Sequence, residues 1–369
     1  MDSFIEKMAD VIINYSTAVQ PGERVLLRGT SPAAEPLIQA LYQAALRAGG
    51  QAFTYIHLGD EDSLAIEATA NPDLLAAVNP MLKLMYETCQ VIVRVDASEN
   101  PRALSSYPPE RQRARLRAGA AVMNIQMERE GNGTLRRCTT QFPTQGYAQA
   151  AGMSLRQYQQ FVFEACKVHL ADPVAAWQEV ERAQQRLVDY LAGKKHLHVR
   201  GQNIDLELSI AGRQFLNANG KVNFPDGEIF TGPVEDSVNG WVSFTYPAYY
   251  QSNEVVGVRL VFENGLVTQA TADKNESFLL NTLDTDPGAR RLGEFAIGTN
   301  NDIQRFTGSI LFDEKIGGTV HMAMGQGYPQ TGSTNTSSVH WDMICDMRDG
   351  GEIWVDGELF YRNGEFLKG

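Results

Sequence analysis

Glu294, Glu314, His321, Tyr328, His340 and Asp342 fall within one run of strand-like segments separated by glycine turns, and their side chains are the kinds that hold a divalent cation and work beside it. Only six histidines exist in the chain, and two of them lie here. In the triplet His340-Trp341-Asp342 the imidazole and the carboxylate are two residues apart, so on a strand they point the same way from one rigid element. His321 sits in the apolar run TVHMAM, where a polar ring needs a partner. A hydrogen-bonded core histidine and a metal ligand both meet that need. Glu228, at the start of a short apolar strand after the turn Asp226-Gly227, reads by itself as an ordinary strand-edge glutamate, and so do Glu294 and Glu314.

Together the residues suggest more. With the two histidines, the carboxylates Glu228, Glu294, Glu314 and Asp342 offer nitrogen and oxygen ligands for two metals, and their charge neutralises two divalent cations. Two metals about 3.5–4 Å apart can activate one water and polarise a carbonyl or anchor a free amine, which suits amide hydrolysis. Tyr328, in GQGYP, follows the His321 segment through a glycine turn, and its phenol could donate a hydrogen bond to the oxyanion of a tetrahedral intermediate. A packing aromatic is the plainer reading of the same residue. His196 and His198 also share a strand face, but Lys194, Lys195 and Arg200 beside them repel a cation, which favours a surface strand. His57 and His169 stand alone and are read as structural.

The elements that must position these residues belong to two textures. The first alternates helix and strand: Phe4 to Asn14 helical, Arg24 to Leu27 a strand, Ala33 to Ala48 helical, then Ala52 to His57 and Val91 to Val95 as short buried strands. That rhythm predicts an α/β domain with a mostly parallel sheet flanked by helices. Gly29-Thr30-Ser31-Pro32 stands where a glycine-rich phosphate loop would be, so a dinucleotide cofactor is not supported. The stretch from Ala171 to Ala192 has helix start and stop signals and joins the domains. Beyond it come short alternating strands with turn pairs such as Asn239-Gly240, Asp356-Gly357 and Asn363-Gly364, a β-rich α+β domain. The expected division is an α/β scaffold and dimerisation domain over residues 1–190 and a catalytic metal-binding domain over 191–369. TGSTNTSS, from Thr331 to Ser338, reads as a small-residue loop that could move.

Composition narrows the function classes. A net charge of -12 opposes binding to a phosphate backbone, and the basic stretch Arg111 to Arg117 reads as a solvated helix face. No nucleic-acid partner is expected. No apolar run approaches the roughly 18 residues of a membrane helix, so no membrane partner is expected either. The start MDSFIEKMADVII is acidic where a secretory signal would be basic, and cytoplasmic residence follows as an expectation. Cys89, Cys138, Cys166 and Cys345 have no paired spacing and are read as reduced and mostly buried.

The segments FPDGEIFTGPVEDSVNG, LDTDPGARRLGEFAIG, ILFDEKIGGTVHMAMGQGYP and SSVHWDM, with QFPTQGYAQAAGMS as an earlier echo, give the chain its likeness to a known group over nearly its full length. It resembles the metalloaminopeptidases of the aminopeptidase T, aminopeptidase S and PepS type. The resemblance implies a pair of divalent metals on Glu228, Glu294, Glu314, His321, His340 and Asp342, with Glu294 bridging and catalytic and Tyr328 catalytic. It also implies homodimers whose active sites face an enclosed space. Two departures stand out. Some members have a shorter spacing between the glutamate matching Glu314 and the next histidine, and they carry a long charged insertion where this chain has only the loop before His340. The expected activity is removal of N-terminal residues from short peptides with a free N-terminus by a two-metal-activated water, the metals being zinc, cobalt, manganese or magnesium. Another metal-dependent amidohydrolase, or a non-catalytic peptide- or metal-binding homologue, are the alternatives.

Overall fold

The computed structural model describes residues 2–251 and 253–369. They form two compact units, one made of the chain up to Ala176 with Gly220–Pro225, the other of Trp177–Asn219 with Asp226–Gly369. The division falls inside the helix Pro173–Leu191, and a short segment beyond that helix returns to the first unit.

In the first unit, five parallel strands lie in the order Gln51–Ile56, Arg24–Gly29, Val91–Asp96, Arg136–Gln141 and Asn223–Phe224. The expected parallel sheet with flanking helices is present. Arg24–Gly29 and Val91–Asp96 read as continuous apolar runs because both faces are covered: Val25, Leu26, Leu27, Val91 and Val93 are buried. The strand expected to be buried over Ala52 to His57 is Gln51–Ile56, which instead lies at the edge of the sheet and is mostly exposed. Helix starts follow local chemistry. Ser31 accepts from the amide of Ala33 before the helix Glu35–Arg47, Asn79 accepts from Met81 and Leu82 before Pro80–Thr88, and Ser154 with Gln157 forms a capping box at Leu155–Ala165. The basic stretch on the helix Pro109–Gly131 is more engaged than a solvated face would be. Arg115 pairs with Glu61 at 3.1 Å and Asp62 at 2.7 Å, and the Arg111 guanidinium donates to the carbonyls of Ile66 and Thr69.

The second unit is β-rich. An eight-stranded antiparallel sheet runs in the order Leu266–Thr271, Arg259–Glu263, Asn239–Ser243, Ile204–Ser209, His196–Gly201, Glu352–Val355, Glu358–Arg362, Glu365–Phe366. A five-stranded antiparallel sheet has the order His340–Asp346, Thr319–Gly325, Leu292–Gly298, Glu228–Thr231, Leu216–Ala218. One core joins them: Leu197, Val199, Leu206 and Leu208 from the larger sheet cluster with Phe295, Ile297, Met322, Met324, Trp341 and Met343 from the smaller. Ile204–Ser209 alternates buried and exposed, as a sheet with one wet face should. Leu292–Gly298 and Thr319–Gly325 are buried at every position, so their second face is also covered, and that face carries the polar residues.

Candidate metal centre

Strand register brings the residues together. Ala323 stands between Glu294 on one neighbouring strand and Asp342 on the other; Ala296 stands opposite His321, Gly298 opposite Glu228 and Gly325 opposite His340. Glu228, Glu294, His321, His340 and Asp342 therefore share one face of the smaller sheet. The alanines and glycines between them keep its floor low. The opposite face, with Phe295, Met322, Trp341 and Met343, enters the core.

Glu294 reaches that face through an irregularity. Leu292 pairs with Met324 and Glu294 with Ala323, so the ladder slips by one residue at Gly293. Without the slip, alternation from Leu292 would turn Glu294 into the core and Phe295 out of it. A glycine is required at the slip, because a Cβ on Gly293 would meet the carbonyl oxygen of Gly325 at 2.3 Å. Glu314 arrives differently, from the turn after the short helix Ile310–Asp313. Thr307 anchors that turn by donating its amide to Asp313 at 2.7 Å, and the amide of Asn300 donates to the Lys315 carbonyl at 3.1 Å.

Both imidazoles are oriented by the backbone. His321 Nδ1 lies 2.9 Å from the Glu314 carbonyl oxygen and His340 Nδ1 lies 2.8 Å from that of Gln326, which makes each Nδ1 the donor and leaves each Nε2 as a ligand atom. His321 Nε2 is 3.4 Å from Glu228 Oε2 and 3.8 Å from Glu294 Oε1; His340 Nε2 is 3.4 Å from Glu294 Oε2 and 3.5 Å from Asp342 Oδ1. These separations are long for hydrogen bonds. They match the spacing of about 3.4 Å between two ligands bound at about 2.1 Å around one tetrahedral cation. Two groups have ligand atoms within 4.8 Å of one another, Glu294–His340–Asp342 and Glu314–His321–Asp342. The two oxygens of Glu294 face different histidines, an arrangement suited to a bridge. Glu228 Oε2 and Asp342 Oδ1 are buried with no hydrogen bond, and an unsatisfied buried polar atom costs about 1–3 kcal/mol. A divalent ion on this face removes that cost, so the residues fit the group.

Two charged residues join the cluster that sequence reasoning did not assign. Lys315, fully buried, bonds to Glu314 and places Nζ 3.9 Å from Glu228 Oε1 and 4.0 Å from Asp226 Oδ1. Asp226 reads in sequence only as half of a turn pair, and Lys315 has no reading there beyond following Glu314; the closure of the turn over the sheet makes both internal. Counting Asp226, Glu228, Glu294, Glu314 and Asp342 against Lys315 leaves four negative charges, again the complement of two divalent cations. Gln184, on the helix Pro173–Leu191, was also missed. It is buried, donates to the Glu228 carbonyl at 3.1 Å, and accepts from the Thr299 hydroxyl at 2.7 Å.

The electrostatics belong to a coupled acid–base cluster. Burial would lower the His321 and His340 imidazoles, but Glu228 and Glu294 raise the first to about 10, and Asp342 and Glu294 raise the second to about 12. Burial would raise Asp342, but His340 brings it down to about 2. Burial raises Glu228 and Glu314. Tyr328 packs edge-on against His340, with ring centroids 5.3 Å apart, and against Phe230 at 5.2 Å, and the residue as a whole is 41% exposed. Desolvation and the charges of Glu294 and Asp342 hold its phenol well above the usual tyrosine value, so it remains a hydrogen-bond donor.

The loop before His340 is tied down. Ser337 and Ser338 donate to Asp286, Thr334 donates its amide to Glu235 at 2.6 Å, and the Asn335 side chain donates to Gly288. His196 and His198 lie on a strand of the larger sheet, where His198 meets Asp205 at 2.7 Å, so acidic neighbours answer the lysines expected to dominate there.

Residues 1–366 match the family model described as thermophilic metalloprotease (M29). The chain belongs to that family. It is 30% identical to Aminopeptidase T of Thermus aquaticus, over 97% of this chain and 96% of that protein. It is 28% identical to Aminopeptidase PepS of Streptococcus thermophilus, over 98% of each. Wild-type AmpT from Thermus thermophilus superposes with a TM-score of 0.85 at 25% identity, covering 99% of both chains. A dioxygenase from Pseudomonas putida, named for 2,5-dihydroxypyridine, has a TM-score of 0.64 at 14% identity, covering 100% of this chain and 98% of that one, a likeness of fold alone. The metalloprotease family and the aminopeptidase relatives make this chain a metalloaminopeptidase that uses divalent metal. Among the described residues no helix is long and apolar enough to cross a membrane.

Proposed function

We propose that the M29 member described here removes N-terminal residues from short peptides with a free amine, using two divalent ions on Glu228, Glu294, Glu314, His321, His340 and Asp342. The observation that carries this reading is the Glu294 carboxylate between two histidines, one oxygen toward each, with Asp342 shared by both ligand groups. The ions supply Lewis acidity and an activated water. The chain does the rest. Glu294, with one oxygen toward each histidine, would hold both ions, and the proton released as the nucleophile forms ends on the leaving amine. Tyr328 stays protonated and donates to the oxygen that becomes negative in the transition state. The Gln326 and Glu314 carbonyls keep both imidazoles in the ligating tautomer.

A homodimer working in the cytoplasm remains part of the proposal. Apolar residues exposed on the first unit, among them Leu74, Leu84, Leu116 and Met123, support self-association, which sedimentation velocity would measure. The functional test strips the protein with chelator, reloads it with zinc, cobalt, manganese or magnesium, and follows amino acids released from unblocked peptides of increasing length. Release confined to the metal-loaded protein and falling off with length is expected. Equal release without metal contradicts the reading.

A further inference from the structure

We propose that Lys315 makes the two metal positions unequal: the one on Glu294, His340 and Asp342 binds tightly, and the one on Glu314, His321 and the shared Asp342 binds weakly because a fixed ammonium already occupies Glu314 and Glu228. This rests on the two-metal reading above and adds an order of filling to it.

The asymmetry is visible in the ion pairs. Lys315 bonds to Glu314, lies 3.9 Å from Glu228 and is fully buried, so the carboxylates around His321 already have an internal cation. No lysine or arginine among the described residues forms an ion pair with Glu294 or Asp342; their contacts there are with the histidines. On the His340 side the Lys315 charge reaches Asp342 only behind those of both histidines, so a cation there meets less competition from the ammonium. A cation on the His321 side shares Glu314 and Glu228 with Lys315 and is repelled by it at short range, in surroundings that screen poorly.

The backbone gives Lys315 little freedom to withdraw. Its carbonyl accepts from the amide of Asn300, and Ile316, next in the chain, pairs with Asn300 in a parallel bridge. The carbonyl oxygen of Ile316 would lie 2.2 Å from a Cβ on Gly298, so this turn rests directly on the floor strand opposite Glu228. The ammonium is built into the centre.

The test is a calorimetric and visible-absorption titration of chelator-stripped protein with cobalt(II). Wild type is expected to bind one equivalent at least tenfold more tightly than a second, and Lys315→Met to bring the two within about threefold. A wild type that binds only one equivalent, with a second appearing in Lys315→Met, is the same result at its limit. Because Lys315→Met leaves buried carboxylates without their ammonium, two further variants that keep the lysine settle the order even if it does not fold. His340→Ala should remove the tight step and His321→Ala the weak one. Two equally tight equivalents in wild type, or a gap unchanged in Lys315→Met, overturn the inference while leaving the two-metal reading in place. No cobalt binding by folded wild type overturns that reading itself.

Discussion

His340 and Asp342 come from one strand, their ligand atoms are 3.5 Å apart, and both belong to the same group with Glu294. His340→Ala or Asp342→Ala should therefore bring metal-dependent turnover to background and lower the metal retained after dialysis, with the circular dichroism spectrum unchanged. Full activity in either variant would remove it from the site. Tyr328→Phe separates chemistry from binding. The fold keeps the ring against His340 and Phe230, so metal content should hold while kcat falls about 10²–10³-fold, the effect of losing one oxyanion donor. Loss of metal in that variant would make the tyrosine structural. At this scale the sequence supplied the residue types: ring and carboxylate two apart in His340-Trp341-Asp342 needed only strand geometry. Lys315 and Asp226 were not legible, because an Asp-Gly turn and a Glu-Lys pair are ordinary surface features until a turn is known to close over a sheet.

At the scale of elements, the centre depends on where backbone approaches backbone. Gly298→Ala would set a Cβ 2.2 Å from the Ile316 carbonyl oxygen and push back the turn that carries Glu314 and Lys315. We expect a loss of about 1–3 kcal/mol in denaturant unfolding, as for other overpacked sites, together with weaker metal retention; unchanged stability and retention would show that the turn does not rest on that strand. The anchored loop gives a pH signature. Burial would raise the Asp286 carboxyl, but the Ser338 amide and the Ser337 and Ser338 hydroxyls bring it down to about 2. A depressed carboxyl stabilises fully above its unfolded value near 4 and loses that contribution as pH falls toward 2. The gap in Tm between wild type and Asp286→Ala should accordingly be largest above about pH 4 and close below it; a gap independent of pH would deny the carboxylate this role. Strand and helix positions were legible from period-two and helical patterns. The slip at Gly293 was not, since Leu-Gly-Glu-Phe has no local mark showing that Leu292 and Phe295 both face the core.

For the whole molecule, five buried or half-buried carboxylates crowd around Lys315 and two histidines, and divalent cations would offset the negative charge that remains. Removing metal should lower Tm, and restoring it should raise Tm with concentration, as for any ligand of the native state alone. A Tm indifferent to chelator would mean that the cluster holds no metal in the native protein. The two-texture organisation was readable because parallel and antiparallel sheets leave different patterns, continuous apolar runs against alternation. The return of Gly220–Pro225 to the first unit was not, because Asn223–Phe224 is too short to announce a strand. The central claim is that a free N-terminus is cut from peptides by the metal-loaded protein. Its most direct measurement compares amino-acid release from one peptide in unblocked and N-acetylated forms, with chelated and reloaded protein. Release from the unblocked peptide alone, and only after reloading, is the expected result; release from the acetylated peptide, or none from either by protein holding its metal, would contradict it.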